Sequence, residues 1–214
     1  MSDQKAGGTT LALGALLCVA GIIAEFIMGW STPNRNVDLA QTVAVYREAW
    51  SSLRWTWIAQ LFGTLLMTAS ATVLLKAKLD AKRFIPTSVL LAIVVVTGVV
   101  VTGAFGTAIG AYPVAWEYFD DAPATFAALV GEASLNYRGI GLVMSLALTT
   151  LMIQEGWASD GAVPRIALGL FLAGVSGAVA LVLTGTLLAK TAGLVVFAAP
   201  IILGLSLRLS APSD

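Results

Sequence analysis

The chain has 214 residues, 58% of them hydrophobic and 11% charged, with 12 basic and 12 acidic side chains that cancel. A soluble domain needs roughly a quarter of its residues charged to cover its surface, so this composition, with a mean hydropathy of +0.89, excludes that class and places the chain in a membrane. No histidine occurs, which removes bis-histidine haem ligation, most zinc and copper sites and the usual general base.

The one cysteine, Cys18, lies within an apolar run, so disulfides, clusters and Cys/His catalysis drop out as well. Zero net charge supplies no field for nucleic acid. The expectation is therefore no catalytic residue, no metal and no cofactor. The expected partners are membrane lipids, and a hydrophobic ligand or partner membrane subunit.

An apolar run of about 20 residues crosses the hydrocarbon as a helix, and six such runs follow one another along the chain. The first is Thr9 to Trp30. Lys5 ahead of it suggests a signal peptide, but the run is too long for a signal core and Glu25 stands where a cleavage site belongs. Leu16-Leu17-Cys18 also lacks the small residue of a lipoprotein signal.

In the loop Ser31 to Arg54, Asn36 predicts a cap for a helix from about Val37 to Trp50, striped by Val37, Ala40, Val43, Ala44 and Trp50. Trp55 to Leu75 and Ser88 to Tyr112 form the second and third spans. In the next long loop, Pro113 to Tyr137, Asp121 or Ala122 precedes Pro123 at a favoured first helical position, with Phe126, Leu129 and Val130 following. Both segments are expected to lie on the membrane surface or over the bundle mouth.

Asn136 to Gln154, Arg165 to Leu188 and Thr191 to Leu209 complete the set, the last two joined by Ala189 and Lys190 alone. Pro200 should kink the last by freeing the carbonyl of Val196. The expected fold class is an all-α polytopic membrane bundle with six transmembrane helices and two short external helical segments. Residues 1–214 form a single transmembrane domain.

Orientation follows from the basic residues of the short loops. With the N-terminus cytoplasmic, Lys5, Lys76, Lys78, Lys82, Arg83, Arg165 and Arg208 fall inside, and Arg35, Arg47, Arg54, Arg138 and Lys190 outside. Four of the inner ones share one short loop, so both termini are expected to be cytoplasmic in a multi-pass cell-membrane protein.

The two long loops share a spacing. Glu48-Ala49 before Arg54 matches Glu132-Ala133 before Arg138 at an offset of 84 residues, which also aligns Gly14 with Gly98. This admits a helical-hairpin repeat of 9–75 and 88–154, followed by the hairpin 165–209, although two loops facing the same water could share the pattern without duplication. Small residues four apart, Ala59 with Gly63, Gly106 with Gly110 and Ala173 with Gly177, suit close helix packing.

Charge inside an apolar run costs roughly 2.5 to 3.5 kcal/mol at mid-membrane, and only Glu25 incurs part of that cost, near the external end of its helix. Its expected partner is Arg54 or Arg138, with Gln60 extending a polar network. Aromatic residues crowd the same side: Trp30, Trp50, Trp55, Trp57 and Trp116, with Tyr46, Tyr112, Tyr118, Phe119, Phe126 and Tyr137. Trp157 and Phe84 alone remain near the other face. That asymmetry reads either as a one-sided interfacial belt with a loop core or as an aromatic-lined cavity for a hydrophobic molecule. The candidate ligand-binding residues are thus Glu25, Trp30, Trp50, Arg54, Trp57, Gln60, Trp116 and Arg138.

The segment from Gly156 to Gly174 carries Pro164-Arg165 at a helix start, then Leu168-Gly169 and Ala173-Gly174. With Tyr46-Arg47 in a long first external loop, it resembles a bacterial family of six-helix membrane proteins known only as domain of unknown function 4386. The resemblance covers under a tenth of the chain and implies a bacterial inner-membrane protein, with no activity to carry over. The leading expectation is a non-catalytic membrane protein that binds a hydrophobic molecule or lipid externally or serves as an accessory subunit. The alternative is a small transporter or channel component using Glu25 and Gln60. Membrane enzymology is the weakest, since Glu117, Asp120, Asp121 and Glu132 lack ligand spacing and read as a solvated acidic face.

Overall fold

The computed structural model describes residues 3–28, 39–80, 85–157 and 200–209. Its helices are α1 (Asp3–Ile27), α2 (Leu39–Asp80), α3 (Ile85–Glu117), α4 (Pro123–Leu135), a π-helical turn (Asn136–Ile140) and α5 (Gly141–Trp157). A further segment, Pro200–Leu209, is α6.

Among the described residues, three helices are long and apolar enough to cross a membrane, through Asp3–Glu25, Leu39–Ala77 and Thr87–Glu117. Six had been expected. The fourth is divided between the π turn and α5, whose 17 residues alone are shorter than a crossing of about 20. The fifth lies outside the described residues, and of the sixth only Pro200–Leu209 is described.

The first external segment is not a separate helix. It runs without a break into the second crossing, giving α2 42 residues, or about 63 Å at 1.5 Å per residue. The physical reason is visible in the chain: from Leu39 to Phe62 there is neither glycine nor proline, so nothing ends the helix at Ser51-Ser52. Between Arg54 and Lys76 no charge occurs, a stretch of about 32 Å that matches the hydrocarbon thickness. The N-terminal third of α2 therefore lies outside this charge-free stretch. Asn36 and Val37 lie outside the described residues.

The second external segment forms as its sequence suggests. After α3, Phe119 N–H bonds to Trp116 O and Ala122 N–H to Tyr118 O, reversing the chain. Pro123 then opens α4, where its missing N–H costs nothing. Asn136 keeps helical dihedrals, so α4 passes through the π turn directly into α5.

Two core layers result. Toward the chain termini, an aliphatic layer joins Leu11, Met67, Leu91, Met144, Leu148 and Leu203 from α1, α2, α3, α5 and α6. At the other end, an aromatic layer fills the space between α2, α3 and α4. Glycine is required where α1 meets its neighbours: a Cβ on Gly14 would lie 2.6 Å from the carbonyl oxygen of Gly63, and one on Gly8 would lie 2.6 Å from that of Gly204. At Gly106 and Gly110, expected to pack a helix, a Cβ would meet nothing within 4 Å among the described residues. Ala173 and Gly177 are outside the described residues.

Candidate functional site

Glu25 sits in the last turns of α1, where that helix leans on α2. Residues four apart on α2 share a face, so Thr56 and Gln60 both meet it. Glu25 Oε1 accepts hydrogen bonds from the Thr56 hydroxyl at 3.1 Å and the Gln60 amide at 2.5 Å. The Trp57 indole faces the same carboxyl. Gly21, one turn earlier on α1, makes the approach possible, since a Cβ there would stand 2.7 Å from Gln60 Cγ.

Gln60 is buried and connects this carboxyl to a polar seam deeper in the bundle. Its backbone carbonyl accepts from the Cys18 thiol at 3.6 Å and from the Thr64 hydroxyl at 2.9 Å. Beyond lies a crevice of about 20 Å³ bordered by Cys18, Gln60, Thr64, Phe105 and Ser145. That is room for about one water molecule, and too little for a larger ligand.

The expected ion pair of Glu25 with Arg54 does not form. Arg54 is exposed, and its guanidinium lies over the Trp55 ring, 5.3 Å from the centroid. The reason is helical geometry: Arg54 is two residues from Thr56, about 200° round α2, and so points away from α1. Arg47 is engaged elsewhere, donating to the backbone carbonyl of Trp116 near the end of α3. The backbone of Arg138 belongs to the π turn rather than to the start of a crossing, and Trp30 is outside the described residues.

Above the carboxyl, seven rings touch edge to face. Phe119 meets Phe126, Phe126 meets Tyr112 and Tyr46, and Tyr46 meets Trp57, with centroids 5.8–6.3 Å apart along the Phe119–Phe126, Tyr46–Phe126 and Tyr46–Trp57 contacts and 5.7 Å for Tyr112–Phe126. Trp57 continues to Trp50 at 5.8 Å and Trp50 to Trp116 at 5.0 Å. Each such pair adds about 0.5–1.5 kcal/mol beyond its buried area. Phe126, fully buried, is the plug that α4 inserts. Among the described residues, the external aromatics thus fill their own interior, where an open cavity had been one expectation.

The structure brings together Glu25, Trp57 and Gln60, places Trp50 one ring and Trp116 two rings further out, and turns Arg54 aside. Thr56 was missed by sequence reasoning, although its i, i+4 spacing to Gln60 was a readable signal. Thr97, Thr149 and Thr150 bond to carbonyls of their own helices. Thr102 Oγ1 does not; it is buried without a partner among the described residues. Compared with protein-family models, curated proteins and solved structures, the chain matches none.

Proposed function

We propose that this chain is a non-catalytic membrane protein that binds a lipid or another hydrophobic molecule at its external side, or seats a partner membrane subunit there. The observation that carries the reading is the position of Glu25: a carboxyl held by neutral donors inside a span, directly beneath a rigid aromatic core. Around it, Ile27 and Trp55 are exposed and supply apolar surface at the same level of the bundle. In this reading the chain crosses the membrane six times with both termini cytoplasmic. The apolar runs 165–188 and 191–209 and the basic excess of the inner loops support that topology. The shared spacing of Glu48-Ala49 before Arg54 and Glu132-Ala133 before Arg138 supports a duplicated hairpin, and the resemblance of residues 156–174 supports a bacterial inner-membrane setting.

Purification from the native membrane in mild detergent, followed by mass spectrometry, tests this. A specific lipid, hydrophobic molecule or subunit should co-purify, in an amount reduced by Trp50→Ala or Trp116→Ala. A clean monomer with nothing attached, unaffected by either substitution, sinks the reading.

One observation favours a second reading, a small transporter or channel component: Gln60 links Glu25 to the polar seam of Cys18 and Thr64. Solute flux into reconstituted vesicles that disappears with Glu25→Gln would support it, and flux indifferent to that change removes it.

A further inference from the structure

We propose that Glu25 recognises a cationic head group: the outer end of the α1–α2 seam binds an amphiphile bearing an ammonium group, with its hydrocarbon tail along α1 in the outer leaflet. This rests on the binding reading above and names the head-group chemistry that the site takes.

The charge arrangement comes first. Among the described residues, Glu25 receives only neutral donors, from Thr56, Gln60 and Trp57. The two basic side chains in the N-terminal half of α2 are committed elsewhere, Arg54 over Trp55 and Arg47 on the Trp116 carbonyl. A carboxylate in a low-dielectric setting is most strongly stabilised by an opposite charge, and none of the described residues supplies one to Glu25.

Access is the second part. The last turns of α1 have α2 on one side, while Ile23, Ile27 and Met28 stay exposed, Ile27 at 78%. A molecule reaching Glu25 therefore arrives along apolar surface, which a hydrocarbon tail covers and a small water-soluble amine does not. The hydrogen bonds from Thr56 and Gln60 both converge on Oε1, and Gly21 lets Gln60 press against α1, so the acceptor is held in a fixed place.

The donor set also selects against a metal ion. No group of three histidine, cysteine or acidic side chains occurs among the described residues, whereas calcium takes six to eight oxygens. An ammonium group is satisfied by one carboxylate with neighbouring hydroxyl and amide oxygens.

The test is equilibrium binding of tritiated dodecylamine to the full-length protein in a neutral detergent. Dodecanol and phosphatidylethanolamine serve as competitors. Dodecylamine should bind saturably, dodecanol should compete at least about tenfold more weakly, and Glu25→Gln should weaken the amine about tenfold or more while leaving dodecanol unchanged. Glu132→Gln, an exposed acid on α4, is the control for loss of negative charge. Competition by phosphatidylethanolamine identifies a membrane lipid as the source of the ammonium; competition by free amine alone identifies a soluble-phase amphiphile.

Equal competition by dodecanol and dodecylamine on the native protein overturns the proposal while leaving hydrophobe binding intact, and it needs no variant to fold. Unchanged amine binding by Glu25→Gln overturns it in the same way. Failure of every amphiphile to bind overturns both this proposal and the reading beneath it.

Discussion

The amide of Gln60 donates to Oε1 of Glu25 across 2.5 Å, tying α2 to α1 through the one charged side chain inside an apolar run. A bond of this kind is asymmetric in its energetics, because removing one partner strands the other in a medium that cannot hydrate it. Gln60→Leu should therefore destabilise the protein by about 1–3 kcal/mol. Glu25→Leu together with Gln60→Leu should recover most of that loss. Reversible unfolding in mixed detergent micelles measures both; strict additivity of the two single changes would show that the pair is not coupled.

Two glycines of the same chain should respond in opposite directions. Gly63→Leu drives a side chain into Gly14 and Cys18, where a Cβ already stands 2.6 Å from their atoms, and should cost more than the usual 1–3 kcal/mol of overpacking, roughly 3 or above. Gly106→Ala meets nothing within 4 Å among the described residues and should stabilise α3 by about 0.5–1 kcal/mol through helix propensity. The same unfolding assay compares them. A destabilising Gly106→Ala would reveal a neighbour on that face.

The aromatic layer depends on Phe126. Phe126→Ala removes the ring that joins Tyr46, Tyr112 and Phe119, at a cost of about 3–5 kcal/mol for a buried phenylalanine. Because the loss is confined to the external end, amide hydrogen exchange should quicken in Pro123–Leu135 and in the first turns of α2, with the aliphatic layer little changed. Uniform acceleration throughout would contradict two separate layers.

Cys18 offers a probe of packing. It is buried, with its thiol against the Gln60 carbonyl and Thr64 hydroxyl, and should resist a maleimide in the folded protein yet react fully once detergent unfolds it. In a Cys18→Ala background, Glu132→Cys should be labelled in intact cells by a membrane-impermeant maleimide. Labelling only after lysis would reverse the proposed orientation.

Much of this was legible in residue order. The low charged fraction placed the chain in a membrane, and runs free of charge located α1, the middle of α2 and α3, because the cost of burying charge in hydrocarbon is paid residue by residue and needs no partner. The same argument singled out Glu25, and its depth matched that of Gln60. Pro123 marked the start of α4 through local backbone preference alone. The one-sided crowding of aromatic rings was equally plain.

Tertiary structure decided the rest. Sequence pointed to Arg54 or Arg138 as the partner of Glu25, since it placed all three toward one membrane face; the angular position of Arg54 on α2 turned it toward Trp55 and left Thr56 and Gln60 facing α1. Whether the aromatic rings would line a space or fill it depended on how far α4 folds back over α2 and α3, a distance that no periodicity encodes. Local rules set where helices run and which residues avoid lipid, while the partners of those residues are set by rotation and approach of whole helices, which only long-range packing determines.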